Sequence, residues 1–278
     1  MLKSLNSGLS GVQQFQHKID NIGNNIANVN TLGFKGSRLD FADSMGQAIQ
    51  AQGSGSAQVG SGVTTSTVRS SFSQGTGTQT FGDHDFMIQG KGFFQVVDPN
   101  TNERFATRAG NFTEGDNGFL VTPNGQRVLG YQAGDAGAIG PIQISDDPAL
   151  RPADIDANAE VVGHTIDSDG KVWINLTGNQ RYVRSQILLQ DYRDPDALTK
   201  LGNNLYGNLE QAGPTSDNLQ APGSLGLGTI QSGWLEMSNV DLTNEFTQLI
   251  TSQRSFQASA RMISTSDELL QEIVGLKR

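Results

Sequence analysis

The chain has 278 residues, a net charge of −9 and no cysteine, and only 17% of its residues are charged. This length allows one large domain or two smaller ones, each with a packed core. An acidic chain with few Lys and Arg residues is a poor candidate for binding nucleic acid or an anionic membrane, because both need clustered positive charge. The lack of cysteine excludes disulfides, thiolate metal sites and cysteine nucleophiles.

The first segment, MLKSLNSGLSGVQQF, has no continuous apolar stretch followed by a small-residue cleavage site. It therefore does not fit an ordinary secretory signal, and no later stretch is long enough and apolar enough to span a bilayer. Taken alone, these features predict a cytoplasmic protein without membrane insertion.

Apolar residues recur every seven positions at both ends of the chain. So narrow a stripe is typical of helices that pair along a seam, whereas a helix that covers a globular core usually has a wider apolar face. Beside each apolar row lies a mixed row that includes Gln16 and Asp267. We predict two terminal helices that lie side by side and antiparallel; the alternative, that each helix covers a globular core, stays open. The predicted assembly seam consists of Leu5, Val12, Ile19, Ile26, Leu242, Leu249, Phe256, Ile263 and Leu270.

Residues that favour helix ends mark the inner ends of both helices. Asn239 or Ser238 can cap the C-terminal helix, and Asp241 then lies in its first turn. Gly33 and Gly36 can terminate the N-terminal helix, since the asparagines before them tolerate the left-handed geometry of a helix exit.

Residues 51–80 contain a single charged residue, Arg69, and few large apolar side chains. Such low complexity usually indicates a flexible linker. Four apolar residues are nonetheless spaced among strand-favouring threonines: Val59, Val63, Val68 and Phe72. We therefore predict that residues 37–80 form an extended Gly/Ser/Thr-rich arm that lies along a surface.

The next part of the chain has the composition of a β domain. Runs such as GFFQVV, RVLGYQ and KVWINLTG are separated by turn signals such as DPNTN and DSDG. Closely spaced strands without a helical pattern between them indicate an antiparallel sandwich or barrel-like domain. The later segment DPDALTKLGNNLYG is interpreted as a short helical turn and its exit. The predicted fold class is α+β, with a helical domain (residues 1–36 and 235–278), the arm (residues 37–80) and an inserted, mainly antiparallel β domain (residues 81–234).

No residue pattern indicates catalysis. The sequence Asp83–His84–Asp85 is the sole local cluster of a histidine with carboxylates, and it lacks the spacing or the third partner of a metal site. The GKGFF segment precedes a strand and not a helix, so it lacks the geometry of a phosphate-binding loop. Carboxylates that could form a hydrolytic pair are scattered near turns. We predict no catalytic residue, no metal, no cofactor and no enzymatic activity.

Three stretches of the chain carry a family resemblance. The asparagine-rich segment NNIANVNTLGFKGSR lies near the N-terminus, IQGKGFFQV, TRAGNFT and GFLVTPNGQRVLGY follow one another in the β section, and a segment beginning GTIQSGWLEMSNVDLTNEF runs to the C-terminus. In this order and spacing they resemble the axial proteins of the bacterial flagellum, a family of rod and hook subunits. The positions that match the N-terminal signature of the family are Asn24, Asn25, Ala27, Asn28, Gly33, Phe34 and Lys35.

The resemblance implies a subunit that self-assembles into a helical polymer, with the terminal helices around a central channel and the β domain as the outer wall. It also implies a location in the flagellar hook or basal body, export by the type III apparatus without a cleaved signal, and contacts with other axial and junction proteins. The segments FSQGT, GTIQSG and VDLTNEFTQLI look most like a hook protein, whereas the length is closer to that of rod proteins. We expect a short hook subunit that transmits torque to the filament, with a distal or proximal rod subunit as the alternative.

Two further expectations concern the assembly. A lone pair of narrow-striped helices is marginally stable, because ordering each residue costs about 1–2 kcal/mol of backbone entropy. We therefore expect the termini to be largely disordered in the monomer and to order when neighbouring subunits cover them, and the 51–80 arm to contact adjacent subunits. The rival from another class is a secreted β-rich adhesin or carbohydrate-binding module, which would need an exposed aromatic platform built on Trp173 or Trp234.

Overall fold

A computed structural model of the chain describes residues 2–44, 47–49, 57–132, 139–145, 151, 159–178, 180–216 and 218–276. The chain divides into two compact units. The first, here the helical unit, comprises Met1–Val29, Lys35–Ser71 and Val240–Arg278, and the second, here the β unit, comprises Asn30–Phe34 and Phe72–Asn239. Neither of the two long helices has an apolar stretch of the length that a membrane crossing requires, within the residues described.

The helical unit is built on two long helices, α1 (Leu2–Ala27) and α2 (Leu242–Gly275). Its strands are β1 (Ser37–Asp43), β2 (Gln47–Ile49), β3 (Ala57–Val59) and β4 (Val63–Ser70). Strand β1 pairs antiparallel with β4, and β2 pairs antiparallel with β3. Phe41 of β1 packs edge-to-face on Phe15 of α1, with 5.8 Å between the ring centroids. The first part of the predicted arm thus folds back on itself as paired strands in the same unit as the helices.

The inner ends of both helices differ from the predicted ones. Asp241 is the N-cap of α2, because its carboxylate accepts a hydrogen bond of 2.9 Å from the backbone N–H of Thr243. Helix α1 ends at Ala27, well before the predicted terminator Gly33. The reason lies in Asn28, whose side-chain Nδ2 donates to the backbone oxygen of Asn24 at 2.9 Å and closes the last turn.

The β unit contains sixteen strands among the described residues. In chain order they are β5 (Gly77–Gln79), β6 (Phe86–Gln89), β7 (Phe93–Val97), β8 (Arg104–Thr107), β9 (Thr113–Glu114), β10 (Leu120–Val121), β11 (Arg127–Gln132), β12 (Ile139–Pro141), β13 (Val161–Ile166), β14 (Lys171–Leu176), β15 (Gln180–Ile187), β16 (Leu189–Gln190), β17 (Thr199–Gly202), β18 (Leu205–Gly207), β19 (Thr229–Ser232) and β20 (Trp234–Glu236). Two short 3-10 helices lie at Asp116–Gly118 and Pro195–Ala197.

Twelve of these strands belong to one sheet, whose main path runs β13-β14-β15-β11-β7-β8-β18-β17. Strands β9, β10, β12 and β16 pair beside this path, while β6 with β19 and β5 with β20 form two separate ladders. Both end strands of the path have a register shift, between Val161 and Gly163 in β13 and between Lys200 and Gly202 in β17. The pairings are antiparallel, which confirms the predicted character of this part of the chain.

Turn residues determine the outcome of two predictions, the DSDG hairpin and the helical turn with its exit in DPDALTKLGNNLYG. In the DSDG turn between β13 and β14, the backbone N–H of Gly170 donates to the oxygen of Asp167 at 2.9 Å, so this hairpin is confirmed. The segment DPDALTKLGNNLYG begins with the predicted short helical turn, which is the 3-10 helix Pro195–Ala197, but the part interpreted as its exit is the β17–β18 hairpin. Asn203 and Asn204 have φ values of 51° and 59°, and two consecutive residues with positive φ are what a tight type I′ hairpin turn requires.

One ion pair is buried in the core of the β unit. The Arg108 Nη1 and Glu236 Oε2 atoms lie 3.5 Å apart, and Arg108 Nη2 also donates to the backbone oxygen of Gly90 at 2.9 Å. The other Glu236 oxygen accepts from the backbone N–H of Gly75 at 2.9 Å. Burial lowers the pKa of Arg108, and the nearby Glu236 carboxylate opposes that effect. The pair links the sheet to β20, and removing one partner would leave a buried charge without its counterion.

Candidate assembly site

The two terminal helices contact each other in antiparallel orientation within the helical unit. Gly8 and Gly11, near the start of α1, face Ser259 in the second half of α2, whereas Asn25 near the end of α1 meets Glu245 near the start of α2. A Cβ atom added at Gly11 would lie 3.1 Å from Ser259 Oγ, and one added at Gly8 would lie 3.5 Å from the Ser259 backbone oxygen. The helices therefore approach closely because the residues between them are small.

One predicted seam residue takes part in this contact directly, because a Cβ atom added at Gly8 would lie 3.1 Å from Ile263 Cγ1. All four seam residues of α1 are half-buried, and the more deeply buried positions of this helix are Gly8, Gly11, Ile22 and Asn25. On α2 the buried positions are Ser252 and Ser266, and Leu242 of the seam is exposed. The half-buried seam residues of α2 are Leu249, Phe256, Ile263 and Leu270. The pair therefore differs from a leucine-zipper arrangement, in which the apolar rows would be the most buried positions.

Large apolar side chains on α2 remain exposed on faces that α1 does not cover. Phe246, Ile250, Met262 and Leu269 are each about half exposed, at 49%, 52%, 50% and 52%. Leu9 in the mixed row of α1 is exposed to a similar extent. Further apolar area would leave water if these faces met another helix.

Asn25, a residue of the N-terminal signature, connects elements of the helical unit through the hydrogen bonds of its side chain. It is only 3% exposed, and its Nδ2 atom donates to the Ser37 backbone oxygen at 2.8 Å and to Glu245 Oε1 at 3.2 Å. Its Oδ1 atom accepts from the Ser37 backbone N–H at 3.0 Å. One side-chain amide thus joins α1, β1 and α2. Burial raises the pKa of Glu245, and the hydrogen bond from Asn25 opposes that rise.

The later signature residues belong to different local settings. Gly33 in the β unit has a φ of 65°, and its backbone N–H donates to the Glu236 backbone oxygen at 2.7 Å. A Cβ atom there would lie 2.7 Å from the Ala109 backbone nitrogen, so only glycine fits. The Lys200 ammonium lies 4.7 Å from the centre of the Phe34 ring, and burial lowers the pKa of Lys200. Lys35, in the helical unit, is fully buried, and Asn24, Ala27 and Asn28 lie at the end of α1.

The candidate Asp83–His84–Asp85 cluster gains one partner, His164. The two imidazole rings lie 4.9 Å apart between centroids, and neither Nε2 atom has a hydrogen-bond partner in the described residues. Burial and, secondarily, His84 lower the pKa of His164, while Asp83 and Glu114 oppose the shift. No group of three or more potential ligands comes together in the described parts of the chain. Sequence reasoning missed this pair because the two histidines are far apart along the chain.

The two tryptophans available for an adhesin platform are both half-buried. The Arg181 guanidinium lies 4.9 Å from the centre of the Trp173 ring on β14 and covers one face of it. Trp234 lies on β20, next to Gly77 of its partner strand.

Comparison with known proteins identifies the class of protein that has two terminal helices with an antiparallel β unit between them in the sequence. Family models match three parts of the chain: "Flagella basal body rod protein" at residues 5–35, "Flagellar hook protein FlgE/F/G D1 domain" at residues 87–174 and "Flagellar basal body rod FlgEFG protein C-terminal" at residues 231–276. These models describe structural proteins of the flagellum.

Relatives match over almost the whole chain. The flagellar basal-body rod protein FlgG of Bacillus subtilis (strain 168) is 41% identical, with 100% of both chains covered. The FlgG of Caulobacter vibrioides is 35% identical with 97% of each chain covered, and the hook protein FlgE of Borreliella burgdorferi is 26% identical with 100% of each covered. The chain therefore belongs to the flagellar rod and hook protein family, whose members are structural proteins and not enzymes.

The expectation of a hook protein is less well supported than its alternative. The rod relatives are more similar, at 41% and 35%, than the hook relative at 26%. The hook alignment also runs over 445 positions, so a large part of that protein has no counterpart in this chain of 278 residues. Of the motifs used for the hook interpretation, VDLTNEFTQLI and the end of GTIQSG lie within residues 231–276, which match a model shared by FlgE, FlgF and FlgG proteins, so they do not separate rod from hook. The motif FSQGT, at residues 72–76, lies outside the three matched ranges.

Replacing Gly11 with leucine should reduce the helix content of the full chain, whereas the same change at Gly23 should increase it. Leucine forms helices better than glycine by roughly 0.8–1 kcal/mol, but Gly11 faces Ser259 and Gly23 has no atom within 4 Å of an added Cβ. Circular dichroism of the assembled protein at matched urea concentrations measures both variants, because the helices are expected to be ordered there. Equal gains in helix content would contradict the close contact between α1 and α2.

Acidification should destabilise the β unit through His164. The pKa of this side chain is lowered in the folded state, so the unfolded state takes up the proton first as the pH falls below about 6.5, and the stability present above that pH is lost. His164→Gln should therefore flatten the loss of urea midpoint between about pH 7.5 and pH 5.5. His17→Gln, on the exposed face of α1, is the matched control and should follow the unmodified chain. A His164→Gln variant with an unchanged pH dependence would be inconsistent with this assignment.

Proposed function

We propose that this protein is a distal-rod subunit of the flagellar basal body, which self-assembles with copies of itself into a helical tube. The observation that supports this proposal is the match over almost the whole chain to rod proteins named FlgG, at 41% and 35% identity. The hook relative is less similar and longer. The proposed role is mechanical, because the protein forms part of the axial structure of the flagellum and contacts other axial and junction proteins at its ends.

The terminal helices supply the inner contacts of the proposed tube. Each half-exposed side chain among Phe246, Ile250, Met262 and Leu269 would contribute about 1 kcal/mol if a neighbouring helix covered it. The predicted seam residues, which are half-buried or exposed, would join this intermolecular surface in coiled-coil fashion. Contacts of this kind unite different surfaces of neighbouring copies, and such heterologous contacts propagate into a filament when the rotation between copies does not close a ring.

We expect the terminal helices to become ordered on assembly because the isolated helix pair buries little apolar area. Its most buried positions include Gly11, Asn25 and Ser252, which remove little apolar area from water. Ordering the backbone costs about 1–2 kcal/mol per residue, so the isolated pair is marginal. We propose that the helices become fully ordered when neighbouring copies cover them. A chain with unfolded ends also suits passage through a narrow export channel of the type III apparatus without a cleaved leader.

Purified protein at high concentration should form tubes visible by electron microscopy. In the monomer, limited proteolysis should first cut residues 1–30 and 240–278, whereas these segments should be protected in the tubes because neighbouring helices bury them. Discrete trimers in place of tubes would favour the adhesin class. Protease-resistant termini in a monodisperse monomer would contradict ordering on assembly.

A strain that lacks the gene should form basal bodies without the distal rod and without the hook, because each axial segment assembles on the one beneath it. Basal bodies purified from the deletion strain and imaged by electron microscopy test this expectation. A complete rod that ends where the hook begins would instead support the hook function. Restoring the unmodified gene is the control for effects on neighbouring genes.

A further inference from the structure

Two apolar side chains of the β unit are both strongly exposed and attached to an unfavourable backbone. Seven non-glycine residues in the described parts of the chain have positive φ. The five that are asparagines, which tolerate this geometry, are Asn102, Asn117, Asn203, Asn204 and Asn208. The other two are Phe81, with φ of 57°, and Leu225, with φ of 49°, and each is 79% exposed.

Neither side chain gains packing within the chain that would offset its backbone strain. A large apolar residue with positive φ is a genuine outlier, and such strain persists only where surrounding structure imposes it. At Phe81 the surroundings do so: the backbone N–H groups of Thr80 and Phe81 both donate to the Gly233 oxygen, at 2.9 Å and 3.2 Å, and the Thr80 hydroxyl donates to Asp85 Oδ2. The turn therefore holds the phenyl ring outward.

The loop at Leu225 is fixed in a similar way. The Leu227 backbone N–H donates to the Ser224 oxygen at 2.9 Å, which closes the turn around Leu225. The Gly223 backbone N–H donates to the Gly228 oxygen at 3.0 Å and fixes the base of the loop. Both exposed side chains are thus presented by hydrogen-bonded turns.

The two residues lie at opposite ends of one ladder. Ser232 pairs with Phe86 at one end of the β6–β19 ladder, and Thr229 pairs with Gln89 at the other. Gly233, which holds Phe81, directly follows Ser232, and Gly228, which closes the Leu225 loop, directly precedes Thr229. The ladder, with four residue pairs and a length of about 10 Å, therefore lies between the two apolar projections.

We propose that Phe81 and Leu225 are anchor residues through which the β unit of one copy of this chain binds neighbouring copies. This inference rests on the proposed function as a tube subunit. The partner is a second copy because a subunit of a heterologous polymer meets neighbouring copies through different surfaces, and two anchors held by separate turns at the two ends of one ladder can serve separate contacts. Buried aromatic and aliphatic anchors supply most of the binding energy at protein interfaces.

The critical concentration for tube formation, measured by sedimentation, tests the anchors. Phe81→Gly and Leu225→Gly should each raise it by about tenfold or more, because a large apolar side chain no longer leaves water on assembly. The thermal midpoint of the monomer should stay the same or rise, since glycine accepts positive φ without strain.

Two control variants separate the causes. Asn102→Gly relieves a φ of 58° without removing an apolar side chain. Val162→Ala shortens an apolar residue on β13 that is 71% exposed and lies outside the positive-φ set. Both controls should polymerise like the unmodified chain. If Val162→Ala raises the critical concentration as much as Phe81→Gly does, general apolar surface and not a specific anchor is responsible, and the inference is overturned.

A second measurement uses the lack of native cysteines. A solvatochromic dye attached through Phe81→Cys or Leu225→Cys should shift its emission to the blue on assembly, whereas the dye at Asn102→Cys should not. Tubes that form normally from Phe81→Gly and Leu225→Gly, with no dye shift, would overturn the inference and leave the proposed function standing. Failure of the unmodified chain to form tubes would instead count against the proposed function itself.

Discussion

The organisation of the helical unit depends on how little the two terminal helices bury between them. Gly8, Gly11 and Ser259 bring the helix axes close, and several bulky apolar side chains of α2, such as Phe246 and Ile250, are left about half exposed. A helix pair packed through leucines would bury its apolar side chains within the pair and would leave little apolar surface for a third helix. Here the close contact sets the relative position of α1 and α2, while the apolar surface remains for other chains. Because small residues form the contact, the isolated helix pair is marginally stable and apolar side chains remain available for the proposed polymer.

The N-terminal signature is a run of residues with separate structural roles. Asn25 uses its whole amide to connect α1, β1 and α2, and an aspartate of the same size would lose both donated hydrogen bonds and face Glu245. Gly33 is required in the β unit, where backbone atoms approach closer than a Cβ atom allows. Asn28 ends α1. The residues of this one sequence signature therefore have separate roles, some in the helical unit and some in the β unit.

Much of the fold follows from local patterns, and the errors have physical reasons. The heptads predict α1 and α2 correctly, but they do not reveal that Gly8, Gly11 and Ser252 are buried, because glycine and serine are not counted as apolar. The DSDG turn predicts a hairpin from local sequence alone. The consecutive residues Asn203 and Asn204, in contrast, are compatible with both a helix exit and a type I′ turn, and the pairing of β17 with β18 distinguishes the two. The His84–His164 stack depends on long-range pairing that local patterns do not contain. The choice between rod and hook depends on whole-length similarity, since the shared motifs are common to the family.

The register shifts in β13 and β17 have a consequence for a protein that must reach high local concentration before it polymerises. Strands at the edge of a sheet present unpaired backbone groups and readily recruit the edge of another molecule. A bulge bends such a strand and breaks the row of donors and acceptors that a second edge would need. Copies of the chain at high concentration can therefore meet without fusing into cross-β aggregates, and side-chain contacts are left to determine how they join.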